Sequence, residues 1–277
     1  DYISEYKVLK NSEPKMGCKV EELGLDDAIS EHLKELEIKK FYKFQEESIQ
    51  EITFGENVVI EAPTASGKTE AFLIPVLQRI KKDGTKGNVF AIFVYPTKAL
   101  ARDQYPKIQK FSEKIGIDVK VFDGDTKIDE RRKIIDDPPQ ILITNFDVLH
   151  YHLWHQTKFS SILNSTKMLI VDEAHVYSGI FGSNVHYIIK RLKRICSNKL
   201  QFVAASATLD DAKEFCQKLF GGKMQIIYGS GKKGQTDFVM LFPSLRTQRA
   251  LMVELTKKLT QKNHKTMVFS NSHLNSE

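Results

Sequence analysis

The chain has 277 residues, of which 41% are hydrophobic, and its basic residues outnumber its acidic ones to give a formal net charge of +6 at pH 7. The length predicts one large domain and part of another, and the charge is compatible with a polyanionic partner. No apolar run reaches the ~18 residues of a membrane span, and the polar N-terminus has no apolar signal region. Three widely separated cysteines fit neither a disulfide framework nor a zinc site. We therefore expect an intracellular protein, in the cytoplasm or the nucleus, with no membrane contact.

The first predicted elements are polar or amphipathic. The segment before residue 20 is polar, and we expect it to be loosely ordered. Gln45 follows on an amphipathic helix, and its amide carries the donor and acceptor that suit the edge of adenine. Considered alone, a surface glutamine on a helix is the better interpretation of this residue.

A phosphate-binding loop comes next. The apolar run 58–60 predicts a strand and the periodicity of 68–80 predicts a helix, with the sequence APTASGKT between them. In this pattern alanine replaces the usual first glycine. We predict that Lys68 reaches the β- and γ-phosphates of a nucleotide and that the hydroxyl of Thr69 ligates Mg²⁺. The residues of the loop that would bind the nucleotide are Thr64, Ala65, Ser66, Gly67, Lys68 and Thr69.

Apolar runs then alternate with helical segments along the chain. Strands are predicted at 89–94, 119–122, 141–144, 168–171, 201–205 and 225–228. Nearly continuous apolar strands separated by helices indicate an α/β fold, with a parallel sheet covered on both faces. Residues 229–237 are rich in glycine and lysine and predict a linker. A strand at 238–242, a helix at 247–259 and a strand at 265–269 would begin a second α/β unit.

Several of the predicted strands end in polar residues that suit ligand binding. Asp172 and Glu173 end the strand 168–171, where the aspartate can hold Mg²⁺ through water and the glutamate can polarise the attacking water. Together with Lys68, they are the predicted catalytic residues, and the two motifs in this order predict a nucleotide triphosphatase. Thr97-Lys98 also follows a strand and begins a helix, where backbone N–H groups and a lysine could bind phosphate. The other polar strand ends, each of which could also be a simple helix cap, are Thr144-Asn145 and Ser206-Ala207-Thr208. Open α/β sheets bind their ligands at this edge.

Three histidines within residues 150–155, HYHLWH, suggest a metal site, which we reject. On a helix only the second and third of them would be neighbours, and no carboxylate or cysteine with ligand spacing accompanies them. We interpret the segment as a packing helix, with Leu149, Leu153 and Trp154 at packing positions.

The set and order of these motifs resemble those of the superfamily 2 helicases. The corresponding stretches are Gln45 (Q motif), APTASGKT (motif I), YPTKALA (motif Ia), Gly124-Asp125-Thr126 (motif Ib), Thr144-Asn145 (motif Ic), DEAH (motif II), Ser206-Ala207-Thr208 (motif III) and Val268-Phe269-Ser270-Asn271-Ser272 (motif IV). Within that superfamily, residues 177–185, YSGIFGSNV, are similar to a pattern of the YprA-like DNA-repair helicases. The cysteine-rich zinc module of that branch is not in this sequence.

The resemblance implies an ATP-dependent helicase or translocase with two RecA-like domains. It predicts an N-terminal extension at 1–20, a RecA-like ATP-binding domain at 21–228, the linker at 229–237 and the start of a second RecA-like domain at 238–277. The cofactors would be ATP and Mg²⁺, and the partner single-stranded DNA rather than RNA, with 3′-to-5′ movement. The predicted coupling residues are His175, Ser206 and Thr208. The predicted nucleic-acid contacts are Thr97, Lys98, Gly124, Thr144 and Asn145.

The resemblance also has departures and leaves alternatives. Ala28 stands where DEAD-box proteins place an aromatic residue before the Q motif, so Phe41, Tyr42 or Phe44 would cover the adenine instead. Motifs V and VI are not in this sequence, and we expect residues 1–277 alone to be poorly active. The alternatives are an RNA helicase or remodelling ATPase and a nucleic-acid-binding module that does not hydrolyse ATP.

Overall fold

The computed structural model describes residues 2–9, 13–207, 211–230, 236–244 and 247–269. The chain divides into two compact units. The main unit lies within Glu13–Lys232, and the small unit combines Asp1–Ser12 with Lys233–Glu277. The division between them falls inside the predicted linker, of which residues 231–235 lie outside the described residues.

The strands of the described residues are β1 (Tyr2–Leu9), β2 (Met16–Lys19), β3 (Lys40–Tyr42), β4 (Val58–Glu61), β5 (Ala91–Val94), β6 (Val119–Val121), β7 (Ile141–Thr144), β8 (Met168–Val171), β9 (Gln201–Ser206), β10 (Gln225–Tyr228) and β11 (Thr236–Phe242). The helices are α1 (Asp27–Glu35), α2 (Lys43–Phe54), α3 (Lys68–Asp83), α4 (Lys98–Lys114), α5 (Ile128–Asp136), α6 (Phe146–His155), α7 (Lys158–Ile162), α8 (Gly179–Ile195), α9 (Ala212–Phe220) and α10 (Gln248–Gln261). Short 3-10 turns lie at Val20–Leu23, Leu163–Ser165 and Ala174–Val176.

The main unit is built on a sheet of seven strands in the order β10-β4-β9-β8-β5-β7-β6. Every neighbouring pair in this sheet is parallel. All residues of β5, β7 and β8 are buried, which is why their sequences are continuous apolar runs. The predicted parallel α/β sheet is confirmed.

Helices cover both faces of this sheet, and successive residues of β4 show the division. Val58 and Ile60 join a hydrophobic core with α1, α2, α3 and α4, whereas Val59 joins a second core with α6, α8 and α9. Each large apolar side chain buried in these cores contributes about 1.5–3 kcal/mol. The two cores therefore fix the strand ends and the loops that follow them.

The segment before residue 20 is more ordered than we predicted. β2 pairs with β3 in an antiparallel ribbon, and the backbone N–H of Cys18 donates to the carboxylate of Glu46 at 2.9 Å. β1 pairs antiparallel with β11, so the segment is divided between the two units. Because both strand partners are distant in sequence, a local pattern could not reveal them.

The small unit contains the β1–β11 ribbon and α10. Thr247 caps α10 by accepting a hydrogen bond from the N–H of Ala250 at 3.2 Å, close to the predicted start of this helix. The predicted strand at 265–269 is wrong, since these residues have no regular secondary structure and Phe269 is 85% exposed. A strand requires a neighbour for its backbone groups, and no described strand pairs with this segment. Residues 270–272, the rest of the predicted motif IV, lie outside the described residues.

Candidate active site

The phosphate-binding loop lies between β4 and α3, as predicted. Ala65 and Gly67 have left-handed backbone conformations, with φ of 58° and 93°. The φ of Gly67 favours glycine, and a Cβ there would also lie 2.5 Å from Nε2 of Gln45, so the end of that side chain would have to move. The first N–H groups of a helix have no partner within it, so this turn leaves hydrogen-bond donors for an anion at the start of α3.

Lys68, the first residue of α3, is buried and held by neutral acceptors. Its Nζ donates to the carbonyl oxygens of Ala62 at 2.7 Å and Pro63 at 3.3 Å. Phosphate oxygens would be stronger acceptors for this ammonium group, because their hydrogen bonds with it are charge-assisted on both sides. The hydroxyl of Ser66 is also buried and has no hydrogen-bond partner within the described part of the chain.

Asp172 follows β8 and is 7% exposed. Its N–H donates to the carbonyl of Val94 at 3.0 Å, and its carboxylate accepts from the N–H of Glu173 at 2.8 Å. Burial raises the pKa of Asp172 to about 6, and the opposing hydrogen bond from Glu173 and charge of Lys68 do not offset it. A bound cation would stabilise the ionised carboxylate here.

Glu173 has a left-handed backbone conformation, with a φ of 49°. Its Oε2 lies 3.3 Å from Nδ1 of His175, and the same nitrogen lies 3.3 Å from Oγ of Ser206. His175 thus connects the end of β8 with the end of β9. Thr208, the third predicted coupling residue, lies outside the described residues.

An open pocket of about 790 Å³ unites the predicted nucleotide-binding residues. The residues predicted to bind ATP all line it, and these are Gln45, Thr64, Ala65, Ser66, Gly67, Lys68 and Thr69. Asp172 and Glu173 line the same pocket. The sequence pattern did not indicate Gln104 and Lys107 of α4, which also line it. Their contribution comes from the packing of α4 and has no signal in the motif.

Gln45 connects α2 to the phosphate-binding loop. Its Oε1 accepts from the N–H of Tyr42 at 3.0 Å, and its Nε2 donates to the carbonyl of Gly67 at 3.0 Å. Of the three aromatic residues considered for the adenine, only Tyr42 lines the pocket, because Phe41 and Phe44 are 1% and 3% exposed. Gln45 is therefore a structural link as well as a candidate for contact with the base.

The residues predicted to bind nucleic acid lie at the ends of β5, β6 and β7, which are neighbours in the sheet. Thr97 caps α4 by accepting from the N–H of Leu100 at 3.2 Å, and it remains exposed. The ammonium group of Lys98 lies 2.7 Å from Asp125, and a Cβ at Gly124 would approach that ammonium group to 2.9 Å. Thr97, Lys98 and Gly124 thus form one exposed surface.

Thr144 and Asn145 are less accessible than the prediction requires. Thr144 is 1% exposed, and its hydroxyl donates to the carbonyl of Phe122 at 2.7 Å. Asn145 is 6% exposed and caps α6 by accepting from the N–H of Val148 at 2.9 Å. The hydroxyl of Thr144 therefore holds β7 to the segment after β6 and does not face solvent.

A buried carboxylate that no sequence pattern indicated supports Gly124. Asp123 is 1% exposed and accepts two hydrogen bonds from Arg102, at 2.9 and 3.0 Å. Arg131 donates to the carbonyl oxygens of Asp123, Gly124 and Thr126. No sequence spacing signals this network, because its members lie on three different elements.

Among the described residues, including the histidine-rich segment, no three or more histidine, cysteine, aspartate or glutamate side chains form a group that could hold a metal ion. His152 is half-buried, and its Nδ1 lies 2.7 Å from the hydroxyl of Thr157. Leu149 and Leu153 are buried, as predicted, but Trp154 is 63% exposed, so the prediction that it occupies a packing position is wrong. Trp154 lies beside the guanidinium group of Arg191 on α8.

This parallel sheet, with a phosphate-binding loop after β4 and an acidic pair after β8, defines a RecA-like nucleotide-binding fold. Within the described residues, no helix has the length and apolar composition needed to cross a membrane.

The chain belongs to the DEAD/DEAH box helicase family, whose model matches residues 42–215. It is 36% identical over 269 residues to the uncharacterized ATP-dependent helicase YprA of Bacillus subtilis, an alignment that covers 92% of this chain and 35% of that protein. It is 35% identical over 217 residues to the ATP-dependent helicase hrq1 of Schizosaccharomyces pombe, covering 74% of this chain and 20% of that one. The crystal structure of the DUF1998 helicase MrfA bound to DNA and AMPPNP superposes with a TM-score of 0.87 at 34% identity. That superposition covers 99% of this chain and 39% of MrfA, so the chain spans well under half of each of these relatives.

Proposed function

We propose that this chain is the ATP-binding part of a motor that uses ATP hydrolysis to move along or unwind nucleic acid. The observation that carries the proposal is the convergence of Lys68, Asp172 and Glu173 on one pocket at the carboxyl edge of the sheet. The exposed surface at Thr97, Lys98 and Gly124 lies at the same edge, so one domain can bind both ligands.

In the proposed reaction, Lys68 exchanges the carbonyl oxygens of Ala62 and Pro63 for phosphate oxygens. With the backbone N–H groups of Ser66, Gly67 and Lys68, it stabilises the charge on the transferring phosphoryl group. Glu173 orients a water molecule and accepts its proton while the water oxygen bonds to the γ-phosphorus. The bond between that phosphorus and the leaving ADP oxygen breaks in the same step.

The residues present fit Mg²⁺. The hydroxyl of Thr69 and the carboxylate of Asp172 are hard oxygen donors of the kind that this ion prefers. Asp172 is buried with a raised pKa, so a cation would remove the cost of its negative charge. When bound, Mg²⁺ would neutralise negative charge on the phosphates.

The proposed partner is single-stranded DNA, held through its phosphates by the exposed residues Thr97, Lys98 and Gly124. The buried Thr144 and Asn145 would support the backbone beside these contacts. His175, Ser206 and Thr208 would couple the nucleotide to this surface. MrfA, which is similar over 99% of this chain, has a structure bound to DNA, and this supports DNA over RNA. We also propose the 3′-to-5′ direction and the domain boundaries at 21–228 and 238–277, which follow from the resemblance to YprA-like helicases.

The test is ATP turnover by the complete protein with single-stranded DNA or RNA of the same length and base composition. We expect DNA to stimulate turnover more than RNA, and we expect Lys68→Ala to weaken both nucleotide binding and turnover. Greater stimulation by RNA would favour the RNA-remodelling alternative. ATP binding without turnover would favour the non-hydrolysing module.

A further inference from the structure

The outer faces of α6 and α8 form a surface that the proposed hydrolysis does not use. α6 exposes His150 and Trp154, and α8 exposes Tyr187 and Lys190 beside a partly exposed Arg191. We call these five residues the α6–α8 surface. Trp154 and Tyr187 are 63% and 58% exposed. Such exposure is unusual for large aromatic side chains that no other molecule covers.

Cations of α8 lie against the aromatic rings of this surface. The guanidinium carbon of Arg191 lies 5.2 Å from the ring centroid of Trp154, and its Nη1 lies 3.4 Å from Nδ1 of His150. The ammonium group of Lys190 lies 5.5 Å from the ring centroid of Tyr187. Cation–π contacts at these distances are attractive, so the rings and the charges are held together while the rings stay exposed.

The positive charge of α8 is not neutralised nearby. The helix sequence GIFGSNVHYIIKRLKRI contains basic residues and no aspartate or glutamate. Among the described residues, no carboxylate forms an ion pair with Lys190, Arg191 or Arg194. The surface therefore offers aromatic rings within a positive field, which is complementary to a polyanion whose bases can stack.

We propose that the α6–α8 surface binds a segment of single-stranded DNA. Bases stack on Trp154 and Tyr187, and phosphates contact Arg191 and Lys190, the combination by which proteins bind single strands without sequence preference. The surface continues from the proposed phosphate contacts. Tyr151 follows His150 on α6. It lines a pocket of about 270 Å³ together with Lys98, Gly124 and Asn145. α6 thus leads from those contacts to Trp154.

The chain contains one tryptophan, so the fluorescence of Trp154 reports on this surface directly. The experiment titrates residues 1–277 with an oligothymidylate, without nucleotide. We expect quenching that follows binding and weakens with salt. In fluorescence anisotropy with a labelled oligonucleotide, Trp154→Ala should weaken binding about tenfold, the usual scale for losing a stacked base, and Trp154→Phe should restore most of it. Arg191→Gln should reduce the slope of log affinity against log salt by about 1.

The control is Phe54→Ala. It removes an 85% exposed ring from α2, which packs on the opposite face of the sheet, and it should leave the affinity for DNA unchanged.

Lys98→Ala separates this inference from the proposed function. This change should weaken the affinity for DNA, but DNA at saturating concentration should still quench the fluorescence of Trp154. If Lys98→Ala had no effect, the proposed contacts would fail and the α6–α8 surface would stand. The inference would be overturned if saturating DNA left the fluorescence of Trp154 unchanged. It would also be overturned if polyglutamate, a polyanion without bases, quenched that fluorescence in the absence of DNA. Equal quenching by oligouridylate would support a nucleic-acid surface that does not select the sugar.

Discussion

At the scale of single residues, the candidate active site contains unusual backbone conformations. Ala65 and Glu173 are residues other than glycine with positive φ, and Gly67 has a φ of 93°. Such conformations cost about 1–3 kcal/mol for residues with a side chain and persist where the surrounding structure enforces them. Here they belong to the loop that would bind phosphate and to the proposed base. The same conformation also occurs outside the site, at Gln156, Asp211 and Asn263.

The first prediction concerns Glu173. We expect Glu173→Gln to keep ATP binding and to lower turnover at least about a hundredfold in the complete protein, because glutamine cannot accept the proton of water. Binding is measured with a fluorescent ATP analogue and turnover by phosphate release. Glu70→Gln, a change to another carboxylate that lines the pocket, is the control and should have a much smaller effect. Turnover close to wild type in Glu173→Gln would remove Glu173 from the mechanism.

The second prediction compares two positions of the phosphate-binding loop. Gly67→Ala should destabilise the protein by about 1–3 kcal/mol and impair ATP binding, because its Cβ would meet Gln45 and its φ is unfavourable for alanine. Ala65→Gly should be tolerated, since glycine adopts the left-handed conformation of Ala65 more readily. Chemical denaturation and ATP binding measure both changes. Equal stability of the two variants would show that the loop relaxes at Gly67.

At the scale of elements, the segment between β6 and α5 holds Gly124 against Lys98. Burial disfavours the charge of Asp123, but hydrogen bonds from Arg102, Thr126 and the N–H of Asp125 together hold its pKa below the ordinary value of 3.8. Arg131 fixes the following carbonyl groups from α5. The network joins α4, α5 and the end of β6, and it fixes the backbone on which the proposed DNA contacts depend.

The third prediction tests this network by stability. Asp123→Asn should lower the free energy of unfolding by about 1–3 kcal/mol at pH 7, because a buried charged acceptor of several hydrogen bonds is lost. Since the pKa of Asp123 is lowered in the folded state, its stabilising effect is present above about pH 4 and disappears as pH falls through the folded-state pKa. The difference between variant and wild type should therefore shrink on acidification.

Asp125→Asn is the matched control for the third prediction. Its carboxylate pairs with Lys98 at an exposed position, where such pairs contribute about 0–1 kcal/mol. Urea denaturation at a series of pH values measures both variants. A difference for Asp123→Asn that does not change with pH would assign its effect to packing instead of charge.

At the scale of the whole molecule, the residues of this chain that we predict to bind ATP all line one pocket of the main unit. The relatives that it matches are much longer, and the chain covers 35% of YprA and 39% of MrfA. In superfamily 2 helicases, arginines of motif VI in the second domain complete the catalytic site. An arginine supplied in this way is commonly worth about 10³–10⁵ in rate.

The fourth prediction follows for residues 1–277 studied alone. We expect them to bind ATP weakly, to hydrolyse it very slowly and not to unwind a forked duplex, because two domains must close around a strand to drive movement. A strand-displacement assay compares residues 1–277 with a version that includes a complete second RecA-like domain. Robust unwinding by residues 1–277 would show that this motor is organised differently from the superfamily that it resembles.

The sequence by itself determined the parallel sheet and the motifs at its edge. Buried strands such as Ile141–Thr144 are continuous apolar runs, and a phosphate-binding loop must follow a strand and begin a helix, so both signals are contained in a few neighbouring residues. Chain order and the parallel direction of the strands then place the end of β4 and the end of β8 at one edge. For this reason the sequence alone predicts that the phosphate-binding loop and the acidic pair lie at the same pocket.

Only the tertiary structure decided which side chains are exposed and which distant segments pair. The sequence pattern of α6 predicted that Trp154 is a packing residue, yet the packed helix leaves Trp154 exposed. Conversely, Thr144 is buried although it ends a strand. Likewise, the pairing of β1 with β11 joins segments at opposite ends of the chain. Accessibility and long-range pairing depend on how elements pack against one another, and a local sequence pattern does not contain that information.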